Sequence, residues 1–258
     1  HSDELLKIIK DTDERMELVP AHAWTPHFGV FGSLSGFDTL EECYGDMTKH
    51  IFAIETGLSS DPKMNWQIPQ LDNIALISNS DAHSLRKLGR EANVFEIDES
   101  VLSYDAIISA IKSGAPIVKN SVAAKNNSSA FVETLEFFPE EGKYHLDGHR
   151  DCKFSCLPSE TKKLGGLCPV CGKKLLRGVM ARVDDLSVGR DYGFMPPRAV
   201  PFRSIIPLEE IIAETLGVGT ASKKVMAQYE AMVASTSEFQ LLLETSREDI
   251  AKIATAAG

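Results

Sequence analysis

Apolar residues in the first 120 positions follow two different periodicities. Helical spacing marks three segments, at residues 3–11, 38–49 and 102–115. Short apolar runs, which predict strands, occupy four more, at residues 16–21, 51–55, 74–78 and 116–119. Helices that alternate with strands are typical of parallel sheets with helices outside them. The pattern therefore predicts an α/β fold, arranged as a barrel or a doubly wound sheet.

The second half of the chain has a different organisation. A polar stretch without periodicity at 119–129 predicts a loop, and two strand-like segments at 130–138 and 142–149 predict an antiparallel hairpin. A segment rich in Pro and Gly predicts a linker, and four amphipathic segments at the end predict helices. We therefore expect four regions, at residues 1–129 (partial barrel), 130–186 (hairpin and Cys-rich module), 187–206 (linker) and 207–258 (helical).

Charge is divided unevenly along the 258 residues. The net charge is −10, but the segment 150–203 carries 11 Lys and Arg against 5 Asp and Glu, so the remainder carries −16. An acidic body with one basic module can bind a polyanion through that module. No apolar run approaches the roughly 18 residues of a membrane span. We therefore expect a cytoplasmic protein that binds nucleic acid rather than membrane.

Metal-binding side chains follow three successive predicted strands. His22 follows the first, Glu55 ends the second, and Asp81 and His83 follow the third. Functional groups collect at the carboxyl ends of parallel strands, and imidazole with carboxylate suits Zn, Mn or Fe. Alternatively, Asp81 caps a helix that begins near Ser84, and each His is structural. The first interpretation predicts a catalytic metal cluster.

A second candidate metal site is formed by cysteines at short paired spacings, Cys152, Cys156, Cys168 and Cys171. Four thiolates in this arrangement are typical of a tetrahedral structural zinc site. Basic residues surround the cysteines, among them Lys173, Lys174 and Arg177. A cationic platform held rigid by zinc can bind a phosphate backbone.

Several long segments resemble a known family. These include "VPAHAWTPHFGVFGSLSGFDTLEE", "SNSDAHSLRKLGREANVFEI", "CPVCGKKL" and "PFRSIIPLEEIIAETLGVGTASKKV". They are similar to the PHP (polymerase and histidinol phosphatase) superfamily, and within it to endonuclease Q, which nicks DNA beside deaminated bases. The resemblance implies a distorted PHP-type α/β barrel whose first strands are missing here, with a small four-cysteine zinc module and a helical C-terminal tail.

The resemblance also implies a metal cluster and its ligands. Two or three divalent ions (Zn, Mn or Mg) are expected, with His22, Asp81 and His83 at ligand positions of the family and Glu55 as a further ligand. The His-x-His motif that opens the family's cluster does not occur in this sequence. The chain is therefore either longer in its natural form or carries an incomplete cluster.

Together with these features, the resemblance implies a metal-dependent endonuclease that acts in repair of DNA containing uracil or hypoxanthine. Catalysis would rest on His22, Glu55, Asp81 and His83, and substrate contacts on six residues, Trp24, His27, Phe28, Lys173, Lys174 and Arg177. One alternative is a PHP phosphoesterase for a small phosphate monoester, which the extended basic module disfavours. The other is a non-catalytic DNA-binding protein that has lost part of its metal cluster.

Overall fold

The computed structural model describes residues 1–34, 36–114 and 129–256. The predicted strand at 116–119 and nearly all of the predicted loop at 119–129 lie outside the described residues. The chain divides into two compact units, His1–Ser204 and Ile205–Gly258. In the described part of the chain, no helix is long and apolar enough to cross a membrane.

The described α-helices are α1 (Ser2–Thr12), α2 (Leu40–Tyr44), α3 (Pro62–Asn65), α4 (Tyr104–Ser113), α5 (Pro158–Lys163), α6 (Val179–Leu186), α7 (Leu208–Leu216), α8 (Lys223–Met232), α9 (Glu238–Leu243) and α10 (Arg247–Ala256). The described strands are β1 (Ala53–Glu55), β2 (Ala75–Ile77), β3 (Ala92–Ile97), β4 (Ser129–Phe137), β5 (Asp147–His149), β6 (Phe154–Cys156) and β7 (Phe202–Ile205).

Strands β1 and β2 form a parallel pair in which Ala53 lies opposite Ala75. The strand expected at 16–21 is not formed, although this segment runs beside β1 and the Pro20 carbonyl accepts a hydrogen bond from the Glu55 N–H at 2.9 Å. Proline has no N–H group, so Pro20 cannot donate to a strand ladder. The parallel pair nevertheless brings the carboxyl ends of β1 and β2 to one edge.

A second sheet has the order β3–β4–β7, and β3 runs antiparallel to β4. The predicted hairpin between 130–138 and 142–149 is therefore wrong, because β4 pairs with strands that are distant in the sequence. Phe131 on β4 is fully buried and stacks on Phe95 of β3, with ring centroids 5.0 Å apart. Strand β7 lies within the predicted linker. The described strands form three separate sheets, so barrel closure is not seen among them.

The Cys-rich module contains the third sheet, in which β5 and β6 run antiparallel. Its apolar cluster is small, with Cys156, Cys168 and Leu175 as its buried members. A bridge between Gly148 and Leu176 ties the end of the Cys-rich segment back to β5. So few buried side chains provide little hydrophobic stabilisation, which is common in small modules that are held by a metal.

The second unit consists of the helices α7 to α10. Its core is formed by six buried side chains, Leu208, Ile212, Ala213, Val225, Met232 and Leu241. Helix α7 is capped at its C-terminus by Gly217, whose φ of 65° lies in the left-handed region that favours glycine. Ser222 caps α8 through its side chain, which accepts a hydrogen bond from the Lys224 N–H. The amphipathic pattern at the end of the sequence therefore predicted these helices correctly.

Candidate active site and metal centre

The carboxylate of Glu55, at the end of β1, connects three segments. Its Oε2 accepts a hydrogen bond from the His22 backbone N–H at 2.5 Å, and its Oε1 accepts one from the Asn79 side chain at 2.9 Å. Asn79 lies just past β2 and was not predicted as a site residue, although its place between β2 and Asp81 is visible in the sequence. These contacts hold the His22, Glu55 and Asn79 segments at one edge, which we call the rim.

Two of the predicted rim ligands have unusual backbone conformations. His22 has a φ of 32° and Asp81 a φ of 45°, a region that residues other than glycine rarely adopt. The His22 Nδ1 atom is buried and has no hydrogen-bond partner. A buried nitrogen without a partner costs free energy unless something binds it. This orphaned atom fits a role as a metal ligand.

The Asp81–His83 turn presents its side chains to solvent. His83 Nδ1 lies 2.9 Å from the Asp81 carbonyl oxygen, and Arg90 Nε donates to the Ser80 carbonyl at 2.8 Å. In the tautomer in which Nδ1 carries the proton, the lone pair of His83 Nε2 stays available. Metal-binding histidines commonly use this arrangement.

The four predicted ligands do not converge closely. Among the described residues, no three of His22, Glu55, Asp81 and His83 bring ligand atoms within 4.8 Å of one another. Their donor chemistry, together with the orphaned His22 Nδ1, fits divalent cations of the zinc or manganese type. The expectation that all four side chains meet at one point is thus not met in this structure.

Two acidic residues that were not predicted lie buried behind the rim. Burial raises the pKa of Glu136 to about 7, against the opposing effect of hydrogen bonds from neighbouring hydroxyls. Burial and the neighbouring Glu136 raise the pKa of Glu91 to about 9. Glu91 Oε1 accepts from the Phe137 N–H at 3.2 Å, whereas Oε2 is buried without a partner. In the sequence, Glu136 is visible only as a charged residue inside an apolar strand.

The Cys-rich module contains a second candidate metal centre. Four residues, His149, Cys152, Cys168 and Cys171, bring ligand atoms within 4.8 Å of one another. Against the opposing effect of burial, hydrogen bonds from the Val170 and Cys171 N–H groups lower the pKa of the Cys168 thiol. A lower pKa favours the thiolate form that binds metals.

The membership of this group differs from the four-cysteine prediction. Cys156 is outside the group, and its Sγ lies 3.3 Å from the Thr161 hydroxyl. The group contains His149 instead. In the antiparallel register of β5 and β6, His149 lies opposite Phe154 and Cys156 lies opposite Asp147. Cysteine spacing alone cannot reveal this register.

A groove of about 510 Å³ adjoins the metal centre. Three of the predicted substrate-binding residues, His27, Lys174 and Arg177, line it, together with Tyr144 and Arg150. The Ser33 hydroxyl donates to the Arg177 carbonyl at 2.8 Å and thereby ties the His27 loop to the module. The groove therefore combines positive charge with rings that can stack on a base.

The structure overturns the predicted substrate contact of Trp24 but not that of Phe28. Trp24 is 1% exposed, packs on Phe31, and donates from Nε1 to Asn65 Oδ1 at 2.8 Å, so it is a core residue. Phe28, four residues later, is 84% exposed. The contact of Phe28 with substrate therefore stays a prediction.

The basic residues of the module are not equivalent. Lys173 and Lys174 are exposed, whereas Arg177 forms an ion pair with Asp185 at 2.6 Å. Arg182 is largely buried and donates to the carbonyls of Phe31 and Phe37. The two lysines therefore offer the more accessible charges for a polyanion.

Two family models match parts of the chain. The C-terminal domain of MJ0043 matches residues 207–257, and a PHP-associated family matches residues 70–116. The uncharacterized protein MJ0043 of Methanocaldococcus jannaschii is 31% identical over 235 residues, which are 90% of this chain and 27% of that protein. The uncharacterized protein YqxK of Bacillus subtilis is 28% identical over 236 residues, 91% of this chain and 52% of that protein. The chain thus spans about half or less of the length of these curated relatives.

Two solved structures match almost the whole chain. One is the lesion-specific endonuclease PfuEndoQ of Pyrococcus furiosus, with a TM-score of 0.79 and 30% identity over 99% of this chain and 60% of that chain. The other is endonuclease Q in complex with a 27-mer duplex that carries an abasic lesion at the active site, with a TM-score of 0.82, 29% identity and the same coverage. These matches confirm the resemblance to endonuclease Q that the sequence predicted.

The revised donor group makes a testable prediction about metal content. We expect Cys168→Ser and His149→Ala to lose most of the metal bound by the module, because each removes one of four ligands. Cys156→Ser should keep it and serves as the matched control. Elemental analysis of the purified variants measures this, and loss in Cys156→Ser equal to that in Cys168→Ser would restore the four-cysteine site.

Proposed function

We propose that this protein is a metal-dependent DNA endonuclease of the endonuclease Q type. The observation that carries the proposal is the rim, where His22 and Asn79 both bond to the carboxylate of Glu55 at the carboxyl ends of parallel strands. Active sites of α/β folds occupy this edge. The structural match to a lesion-specific endonuclease supports the same reaction class.

In the proposed reaction, His22, Glu55, Asp81 and His83 would hold divalent metal ions. Bound metals of this kind lower the pKa of a water molecule and stabilise negative charge on the leaving oxygen of a phosphodiester. The hydrogen bond from Asn79 keeps Glu55 oriented. The hydrogen bond from Arg90 to the Ser80 carbonyl holds the turn that carries Asp81. The protein's own contribution is thus to fix the ligands in place before substrate arrives.

We assign a structural zinc ion to His149, Cys152, Cys168 and Cys171. Three thiolates and one imidazole fill a tetrahedral site, so no position is left for substrate. The ion would stabilise a module whose own hydrophobic cluster is small. It would thereby hold Lys173 and Lys174 at fixed positions toward the DNA backbone.

We further propose that the substrate is duplex DNA with a deaminated base, uracil or hypoxanthine. Enzymes that act at a damaged base commonly turn it out of the stack, and a damaged pair makes this easier. The groove at His27 and Tyr144 has a volume suited to a nucleotide. A related structure holds a duplex with an abasic lesion at its active site, which supports lesion recognition of this kind.

The basic module is expected to provide most of the DNA affinity. Replacing Lys173 and Lys174 with Glu should weaken binding and make it less dependent on salt, because each lost phosphate contact removes about 0.9 from the log–log slope. Fluorescence anisotropy at several salt concentrations measures the slope. The matched control is Lys7→Glu with Lys49→Glu, the same charge change at exposed lysines of the acidic body. Equal effects of both double variants would place the DNA site elsewhere.

Catalysis is expected to depend on Asp81. In the full-length gene product, Asp81→Asn removes one negative charge but keeps the shape, so nicking of a uracil-containing duplex should be abolished while DNA binding is retained. The exposed Asp105→Asn serves as the control. Gel analysis of end-labelled duplexes with and without uracil measures the reaction. A normal rate in Asp81→Asn would contradict the ligand assignment, and a wild type that binds but never nicks DNA would favour a non-catalytic binding protein.

A further inference from the structure

Glu136 on β4 is completely buried, and three hydroxyl groups surround its carboxylate. Its Oε2 accepts hydrogen bonds from Thr56 and Ser78, each at 3.1 Å, and its Oε1 accepts one from Thr134 at 2.5 Å. The three hydroxyl-bearing residues are themselves at most 1% exposed. A buried carboxylate with these partners is satisfied only while the partners keep their places.

Two of these partners directly adjoin the rim. Thr56 follows Glu55 in the chain, and Ser78 precedes Asn79, whose side chain donates to Glu55 at 2.9 Å. Thr56 N–H also donates to the Ile77 carbonyl at 3.0 Å, which holds the ends of β1 and β2 together. Glu136 thus bonds to the residue after β1 and to the residue after β2 at the same oxygen.

We propose that Glu136 is a positioning residue for the rim ligands. It belongs to the sheet β3–β4–β7, so its hydrogen bonds lock the ends of β1 and β2 to a second, independent sheet. These hydrogen bonds fix the positions of Glu55 and of the segment that leads to Asp81. The inference rests on the proposed metal-binding function of the rim, but it concerns metal affinity and can be tested without cleavage.

The hydrogen bonds around Glu136 indicate which substitution at this position would preserve them. Thr56 Oγ1 lies 3.3 Å from the Ile77 carbonyl, and Ser78 Oγ lies 3.1 Å from the Leu135 carbonyl. With Gln at position 136, both hydroxyls can donate to these carbonyls and accept the two amide N–H groups instead. With Leu at position 136, the side-chain volume is similar but the connection between the sheets is lost.

Mn²⁺ affinity at the rim tests the proposal. The full-length gene product is titrated with Mn²⁺, and the rim ions are those lost in Asp81→Asn. Glu136→Leu should weaken Mn²⁺ binding by about tenfold or more, as is found when residues that orient metal ligands are removed. Glu136→Gln should stay within about threefold of the wild type, since its hydrogen bonds persist. Thr56→Val removes one hydrogen-bond partner of Glu136 at nearly constant size and should also weaken Mn²⁺ binding. It tests the proposal even if Glu136→Leu does not fold.

The matched control is Phe131→Ala on the same strand, which damages the core but leaves the network intact. It should lower the melting temperature and leave Mn²⁺ affinity unchanged. Equal Mn²⁺ affinity in wild type, Glu136→Leu and Thr56→Val would overturn the positioning role, as would equal loss in Phe131→Ala. Mn²⁺ binding without nicking in the wild type would refute the proposed function alone, and a wild type without a rim ion would refute both.

Discussion

The hydrogen bonds of the buried Glu136 carboxylate join the two sheets on which the candidate active site depends. Strands β1 and β2 are only three residues long and pair with each other alone among the described strands. A pair this short has little stability of its own. Its ends are tied to a longer sheet in two ways. Thr56 and Ser78 share an oxygen of Glu136 on β4, and Asn93 on β3 forms hydrogen bonds with the Ser78 backbone. The positions of the rim residues therefore depend on hydrogen bonds from the sheet β3–β4–β7.

The Cys-rich module has the same weakness, and in the proposed function a zinc ion would compensate for its small core. Its buried cluster is too small to fix the lysines that the proposed DNA contact needs. Four metal ligands that lie close together can fix the positions of these lysines, because metal binding and folding of the module are coupled. In the proposed function, the rim would position the reacting phosphodiester and the Cys-rich module would hold the DNA backbone around it.

The sequence predicted local features well and distant pairings poorly. Glu55 at the end of β1 followed from apolar periodicity, since that signal is contained within a few residues. The pairing of β4 with β7 did not, because partners 65 or more residues apart leave no mark on local spacing. For the same reason, the burial of Trp24 was not predicted, since its partner Asn65 is distant in the sequence. The approach of His149 to the cysteines was not predicted either, since it depends on the β5–β6 register.

The most direct test of the account is to locate the metal ions in the full-length gene product. Crystals grown with Zn²⁺ and measured at the zinc absorption edge would show anomalous density at every zinc position. We expect density about 2.0–2.2 Å from donor atoms of His22 and Glu55, separate from the density at the Cys-rich module. Density confined to the Cys-rich module, with an empty rim, would contradict it.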